Sequence, residues 1–162
     1  MKFRGLLLPL ALCVLPAGCA TGDAAGNDTG NSATAARTIA VTITSKTGAH
    51  TFQVDRATTA AEQERGLMFR TDLTDSNGML FWPYPPNGPP REANFWMKNT
   101  PSALDIIFIR ADGTIAHIAA DAVPYDETPL SSGEPVAAVL EIKGGRAAAL
   151  GIAEGDKVSW AK

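Results

Sequence analysis

The side chains able to do chemistry fall into two groups. One is a pair of carboxylates, Asp105 and Glu141, each embedded in a run of apolar, β-favouring residues. Two carboxyls whose environments separate their pKa values are what general acid–base chemistry needs, as in glycoside hydrolysis. The competing reading is ion pairing. A carboxylate drawn into a core needs a cation, and Arg65, Arg70 and Lys98 are available, with Glu64 among them. The other group is the run Asn94-Phe95-Trp96-Met97-Lys98-Asn99-Thr100. In a strand, Trp96 and Lys98 share one face, and Phe95, Met97 and Asn99 the other. A tryptophan beside a lysine and an asparagine suits stacking on a sugar ring or flat ligand, with hydrogen bonds to its edge. The bland alternative has Trp96 plugging one end of a barrel with Lys98 snorkelling over it. The candidate ligand-binding set is therefore Trp96, Lys98, Asn99, Asp105, Glu141, Arg70 and Trp82.

Other chemistries lack their residues. Ser131 and Ser132 are without the Gly-x-Ser-x-Gly elbow of the hydrolases, and no glycine-rich phosphate loop occurs. Met68, Met79 and Met97 with His50 and His117 match no metal-ligand spacing, and methionines beside Leu and Phe are core filler. No metal, cofactor or catalytic residue is assigned. With 14 basic and 17 acidic side chains, a net charge of −3 and no basic cluster, nucleic acid is not an expected partner.

These residues need a scaffold. Residues 38–44 alternate apolar and polar, turn at Lys46-Thr47-Gly48 and return over 49–54, which makes a hairpin. Residues 58–67 read as a short helix, with Thr59 and Glu62 spaced as a capping box and Gly66 as its stop. An apolar strand follows at 78–82, then a loop at 83–90 whose five prolines keep it out of a sheet interior. That loop is expected to arch over whatever Trp82 and Trp96 line. Residues 94–112 read as a central hairpin, and the apolar run 104–109 within it fits a strand covered on both faces. Strands at 114–119, 135–142 and 157–160 and a short helix at 146–150 complete the chain, with 121–134 as a loop. The expected fold is α+β, mainly antiparallel β, a single curled-sheet or barrel-like domain with two short helices over 38–162.

The N-terminus reads as a targeting segment. Lys2 and Arg4 precede an apolar stretch at 6–15 that is too short to span a bilayer. Leu15-Pro16-Ala17-Gly18-Cys19 resembles a bacterial lipobox, with Pro16 where leucine is usual. Residues 1–19 are expected to be a signal peptide with Cys19 as the lipidated residue. Residues 20–37, without a bulky apolar side chain, are expected to be a disordered tether of roughly 20–25 Å root-mean-square span. Cys13 and Cys19 are the only cysteines, so the folded part has no disulfide or thiol chemistry.

Six ordered segments carry a family resemblance: Glu64-Arg65-Gly66-Leu67-Met68-Phe69-Arg70, Gly78-Met79-Leu80-Phe81, the 94–100 run, 104–109, Val139-Leu140-Glu141, and Leu150-Gly151-Ile152 with Gly155-Asp156-Lys157-Val158. Together they resemble the family known as domain of unknown function 192, over about 38–162. The resemblance implies one compact β-rich domain, often exported, and no activity. The chain departs from the pattern in its long proline loop and in Pro101-Ser102-Ala103. The expected function is a non-enzymatic, envelope-tethered binding module on the periplasmic side. It would take a small polar or saccharide ligand or an envelope partner, and its N-terminal lipid would hold it to the membrane. The alternatives are a carboxylate-dependent hydrolase of envelope polysaccharide and a purely structural or assembly protein.

Overall fold

The computed structural model describes residues 38–161, so the signal peptide, Cys19 and the tether lie outside the described residues. Nine strands and two short helices follow in order: β1 Thr38–Ser45, β2 Gly48–Ala57, α1 Ala60–Arg65, β3 Asn77–Phe81, β4 Arg91–Phe95, β5 Leu104–Ile109, β6 Ile115–Ala122, β7 Leu130–Val136, β8 Ala138–Lys143, α2 Arg146–Ala149 and β9 Lys157–Trp160. Seven strands form a curled, half-barrel sheet in the order β6-β5-β8-β3-β2-β1-β9, while β4 and β7 form a separate two-stranded ribbon. All pairs are antiparallel except β2–β3. A parallel pair needs a crossover, and α1 with the turn after it supplies one. Among the described residues no helix is long and apolar enough to cross a membrane.

The local rules read from the sequence operate at α1. Thr59 caps it, accepting from the Glu62 amide at 3.3 Å, and the Glu62 carboxylate reaches back to the Thr58 and Thr59 amides. Gly66 ends it at φ 48°. The β1–β2 hairpin also forms where the alternation put it, with Ser45 opposite Gly48.

The 94–112 hairpin does not form. Residues 91–95 pair with β7, and β5 pairs with β6 and β8. Between β4 and β5 the chain turns through Lys98 and Asn99, with Asn99 in the left-handed region at φ 53°. The stretch 121–134, expected to be loop, contains the start of β7. Ser132 is the reason a polar segment holds a strand there. Its buried hydroxyl accepts from the Ala93 amide at 2.9 Å and donates to the Glu134 carbonyl at 2.7 Å, inside a bulge where residues 132–134 of β7 face Ala93 of β4.

The sheet is a wall between two cores. On one side Val41, Phe52, Leu80, Ile107, Leu140 and Ile142 pack with α2. On the other Phe81, Ile106, Phe108 and Val139 pack under the β4–β7 ribbon. β5 is buried along its whole length and β8 at all but its last residue. A carboxylate on either strand therefore enters a core. Asp105 and Glu141 are on opposite faces, because Glu141 stands opposite Ile106 and Asp105 opposite Ile142.

Asp105 is fully buried and accepts three backbone N–H groups, from Asp121 at 2.8 Å, Gly145 at 3.1 Å and Ala147 at 2.7 Å. It ties the end of β6 and the entry to α2 to the middle of the sheet. Asp105→Ala should destabilise the fold by about 2 kcal/mol or more, since three backbone amides, that of buried Ala147 among them, lose their shared acceptor. Urea unfolding checks this, and a loss under about 1 kcal/mol would show that water replaces the carboxylate.

Candidate functional site: a cavity over a buried carboxyl

The run after β4 leaves the ribbon and is pinned from both sides. The Met97 amide donates to Asp126 O at 2.8 Å, the Phe69 amide donates to Asn99 O at 2.7 Å, and the Tyr125 amide donates to Thr100 O at 3.3 Å. Met97 is buried and anchors the turn in the core. Its neighbours on either side are left facing the other way. The Lys98 ammonium sits 5.2 Å from the Trp96 ring centroid, a cation–π contact. Trp96 remains 46% exposed.

Below this turn is a cavity of about 330 Å³, at the small end of the range for ligand pockets. Its buried lining comes from Leu67, Phe81, Thr100 and Glu141, and its exposed lining from Glu64, Arg65, Arg91, Asn94 and Trp96, with Lys98 half-buried. Burial thus distinguishes a floor from a mouth. Tyr84 and Pro86 bring the proline loop to the wall, and Phe95 packs edge-on against Phe81 at 5.0 Å.

Glu141 decides the chemistry of the floor. It is 4% exposed, and its Oε2 has no hydrogen-bond partner among the described residues. Burial pushes its carboxyl from the usual 4.5 up to about 8. At neutral pH it is therefore mainly a neutral acid, able to donate a hydrogen bond as well as accept one. Two glycines make room for it. A Cβ on Gly78 would meet the Glu141 carbonyl at 2.1 Å, so only glycine lets β3 approach β8 here. A Cβ on Gly66 would stand 3.2 Å from the tip of Phe81 and 3.8 Å from Glu141 Oε2.

The seven sequence-selected residues separate. Trp96, Lys98 and Glu141 line the cavity. Asp105 is on the opposite sheet face and consumed by backbone amides. Arg70 is paired to Asp55 at 3.0 Å and Asp72 at 2.6 Å, outside the lining. Asn99 turns toward the Met68 sulfur at 4.0 Å. Trp82 lies across the molecule, edge-on to Trp160 at 6.0 Å and under Arg56 at 5.3 Å, and lines a different hollow of about 180 Å³. The expected ion pairing of the two core carboxylates is not what the fold does, because Asp105 uses amides and Glu141 stays unpaired. Sequence reasoning passed over Arg91, Phe95, Leu67 and Tyr84 as cavity residues. Gly66 had the one available signal, a glycine where a helix must stop beside a bulky aromatic.

The fold and cavity define a class: a small half-barrel β-domain with a pocket closed by a two-stranded ribbon and floored by an unpaired buried carboxyl. The chain belongs to the DUF192 family, described as an uncharacterized ACR, whose model matches residues 41–160. It is similar to a protein of unknown function from Novosphingobium aromaticivorans. That crystal structure is 54% identical with a TM-score of 0.72, and the match covers 76% of this chain and 85% of that one. It is also similar to a Sinorhizobium meliloti protein described as a candidate transcription regulator, 38% identical with a TM-score of 0.70, covering 76% of this chain and 93% of that one. No curated protein matches.

The buried carboxyl makes stability depend on pH with a definite sign. Glu141 ionises near 4.5 when unfolded and near 8 when folded. Between those values the native chain holds the extra proton. Its contribution is complete below about 4.5 and is lost as pH rises to about 8. The charged and titratable side chains sharing its cavity are Glu64, Arg65, Tyr84, Arg91 and Lys98. Glu141→Gln should therefore flatten the decline in urea midpoint between about pH 5 and about pH 9. An unchanged decline would mean that Glu141 is already ionised at the lower pH.

Proposed function

We propose that this chain is an envelope-tethered, non-catalytic binding domain whose ligand is a small polar molecule, a saccharide among the candidates, held between Trp96 and Glu141. The observation that carries the reading is the unpaired Glu141 carboxyl at the floor of the 330 Å³ cavity. A buried polar group without a partner is costly. A ligand that supplies the missing hydrogen bond recovers that cost on binding. Trp96 offers an exposed ring face for stacking, with Lys98 beside it. The lipobox-like sequence ending at Cys19 and the polar stretch after it support the tethering.

A hydrolytic reading rests on one observation: Glu64 lines the same cavity as Glu141, so two carboxyls share a cleft. Asp105, behind the sheet, has no part in it. Hydrolysis of an envelope polysaccharide by the purified chain, abolished in Glu141→Gln, would replace the binding reading.

Binding is tested with monosaccharides and short envelope glycan fragments, followed by tryptophan emission and calorimetry. Trp96→Ala should weaken binding of the responding sugar about tenfold, with unchanged circular dichroism. Equal affinity in Trp96→Ala and Lys98→Ala, with the fold intact, would remove the cavity from consideration. The tether is tested separately. Cys19→Ser should end incorporation of labelled fatty acid and release the chain from the membrane fraction. Retention of both would overturn lipidation at Cys19.

A further inference from the structure

The basic side chains of the described domain are not all used alike. Arg70 is neutralised by Asp55 and Asp72, Arg110 by Glu134, and Lys143 and Arg146 by Asp75. Of the six described basic residues that make no ion pair, Lys46, Arg56 and Lys157 lie elsewhere, while Arg65, Arg91 and Lys98 line this cavity. They do so in a chain whose net charge is −3. The only other ionisable acids in that lining are Glu64 and Glu141.

From floor to mouth the cavity therefore presents three zones. The floor is the Glu141 carboxyl, 4% exposed, with Oε2 unpartnered. The middle is apolar and aromatic, from Leu67, Phe81, Tyr84 and Phe95. The mouth holds Arg65, Arg91, Lys98 and the Trp96 ring, with Glu64 as its one carboxyl, so basic groups outnumber acidic ones there. A neutral saccharide would use the floor and the ring but leave the cations idle. A cationic ligand would meet three like charges on its way in. An anion whose charge stays at the mouth uses all three zones, and guanidinium groups suit carboxylate oxygens particularly well.

We infer that the ligand of this cavity is a small organic anion with a ring body, of the uronic acid kind: its carboxylate pairs with Arg65, Arg91 and Lys98, its ring lies against Trp96, and an uncharged oxygen at its far end accepts a hydrogen bond from Glu141. The inference rests on the cavity reading above and adds the charge and polarity of the occupant. It also fixes a pH sign. Once Glu141 ionises it ceases to donate and places a negative charge beneath an anionic ligand, so affinity falls as pH passes about 8. The titratable and charged groups around Glu141 are Glu64 and Arg65 from α1, Tyr84 from the proline loop, Arg91 from β4 and Lys98 from the turn.

The test is calorimetric titration of the full chain with two matched pairs of probes, D-glucuronate against D-glucose and benzoate against benzyl alcohol. The expected result is binding of at least one anion about tenfold or more tighter than its neutral partner at about pH 6, with the preference reduced at about pH 9. Arg65→Ala and Lys98→Ala should each weaken binding of the anion more than that of its neutral partner and so shrink the preference. Glu141→Gln, which keeps a donor at the floor, should retain anion binding and lose its pH dependence. Equal or tighter binding of the neutral probes would overturn the anionic ligand and leave the cavity reading standing. Binding of neither anion nor neutral probe by the folded chain would overturn both.

Discussion

A strand buried on both faces has nowhere to hide a charge, and the centre of this sheet carries two carboxyls. The fold answers the same constraint in opposite ways. Asp105, on the α2 side, is surrounded by three backbone amides brought in by β6 and the Gly144-Gly145 turn. Glu141, on the ribbon side, gets no partner for Oε2 and keeps its proton. The first arrangement fixes the connections around the sheet. The second is tolerable only because a cavity stands over the group. The β3–β8 register, the glycine at 78 and the bulged ribbon all bear on that one side chain.

The outer half of the site is built by a turn. Met97 is committed to the core, which leaves Trp96 and Lys98 to line the opening. Backbone hydrogen bonds donated by Phe69 and Tyr125, and one accepted by the Asp126 carbonyl, hold the turn in place. Phe69, Asn99 and Tyr125 all have positive φ, at 63°, 53° and 62°. Such conformations cost bulky residues of order 1 kcal/mol or more and persist only where surroundings impose them. Phe69 and Tyr125 are also left 68% and 63% exposed.

Much of this was legible in the sequence, for reasons that differ by element. The alternation of β1, the spacing of Thr59 and Glu62, and the apolar run of β5 are local signals, and each operates where it was read. The class of fold followed from them. The β4–β7 ribbon was not legible because its pairing depends on Ser132, in a bulge of β7, reaching the Ala93 amide, a contact between residues far apart in sequence. The run 94–100 was read as one arm of a hairpin. Its first two residues end β4, and the chain then turns at Lys98 and Asn99, Asn99 with a left-handed backbone. Residue type singled out Trp96, Lys98 and Glu141, which the fold places around one cavity. It could not tell Glu141 from Asp105, since both read as an acid in an apolar strand. Their difference is the face of the sheet, and a partner made of backbone amides leaves no trace in residue identity. Arg70 and Trp82 were drawn in by type alone and are engaged elsewhere.

The two-walled architecture also sets how this molecule loosens. The seven-stranded sheet is held by hydrogen-bonded neighbours on both sides of every inner strand, with a core against each face. The ribbon has two strands, one of them bulged, and only its inner side is packed. Local opening draws on the least supported segments first. Burial and pairing thus favour protection of the β5 and β8 amides over those of β4 and β7. The roof of the cavity thus belongs to the least supported part of the molecule and its floor to the most supported.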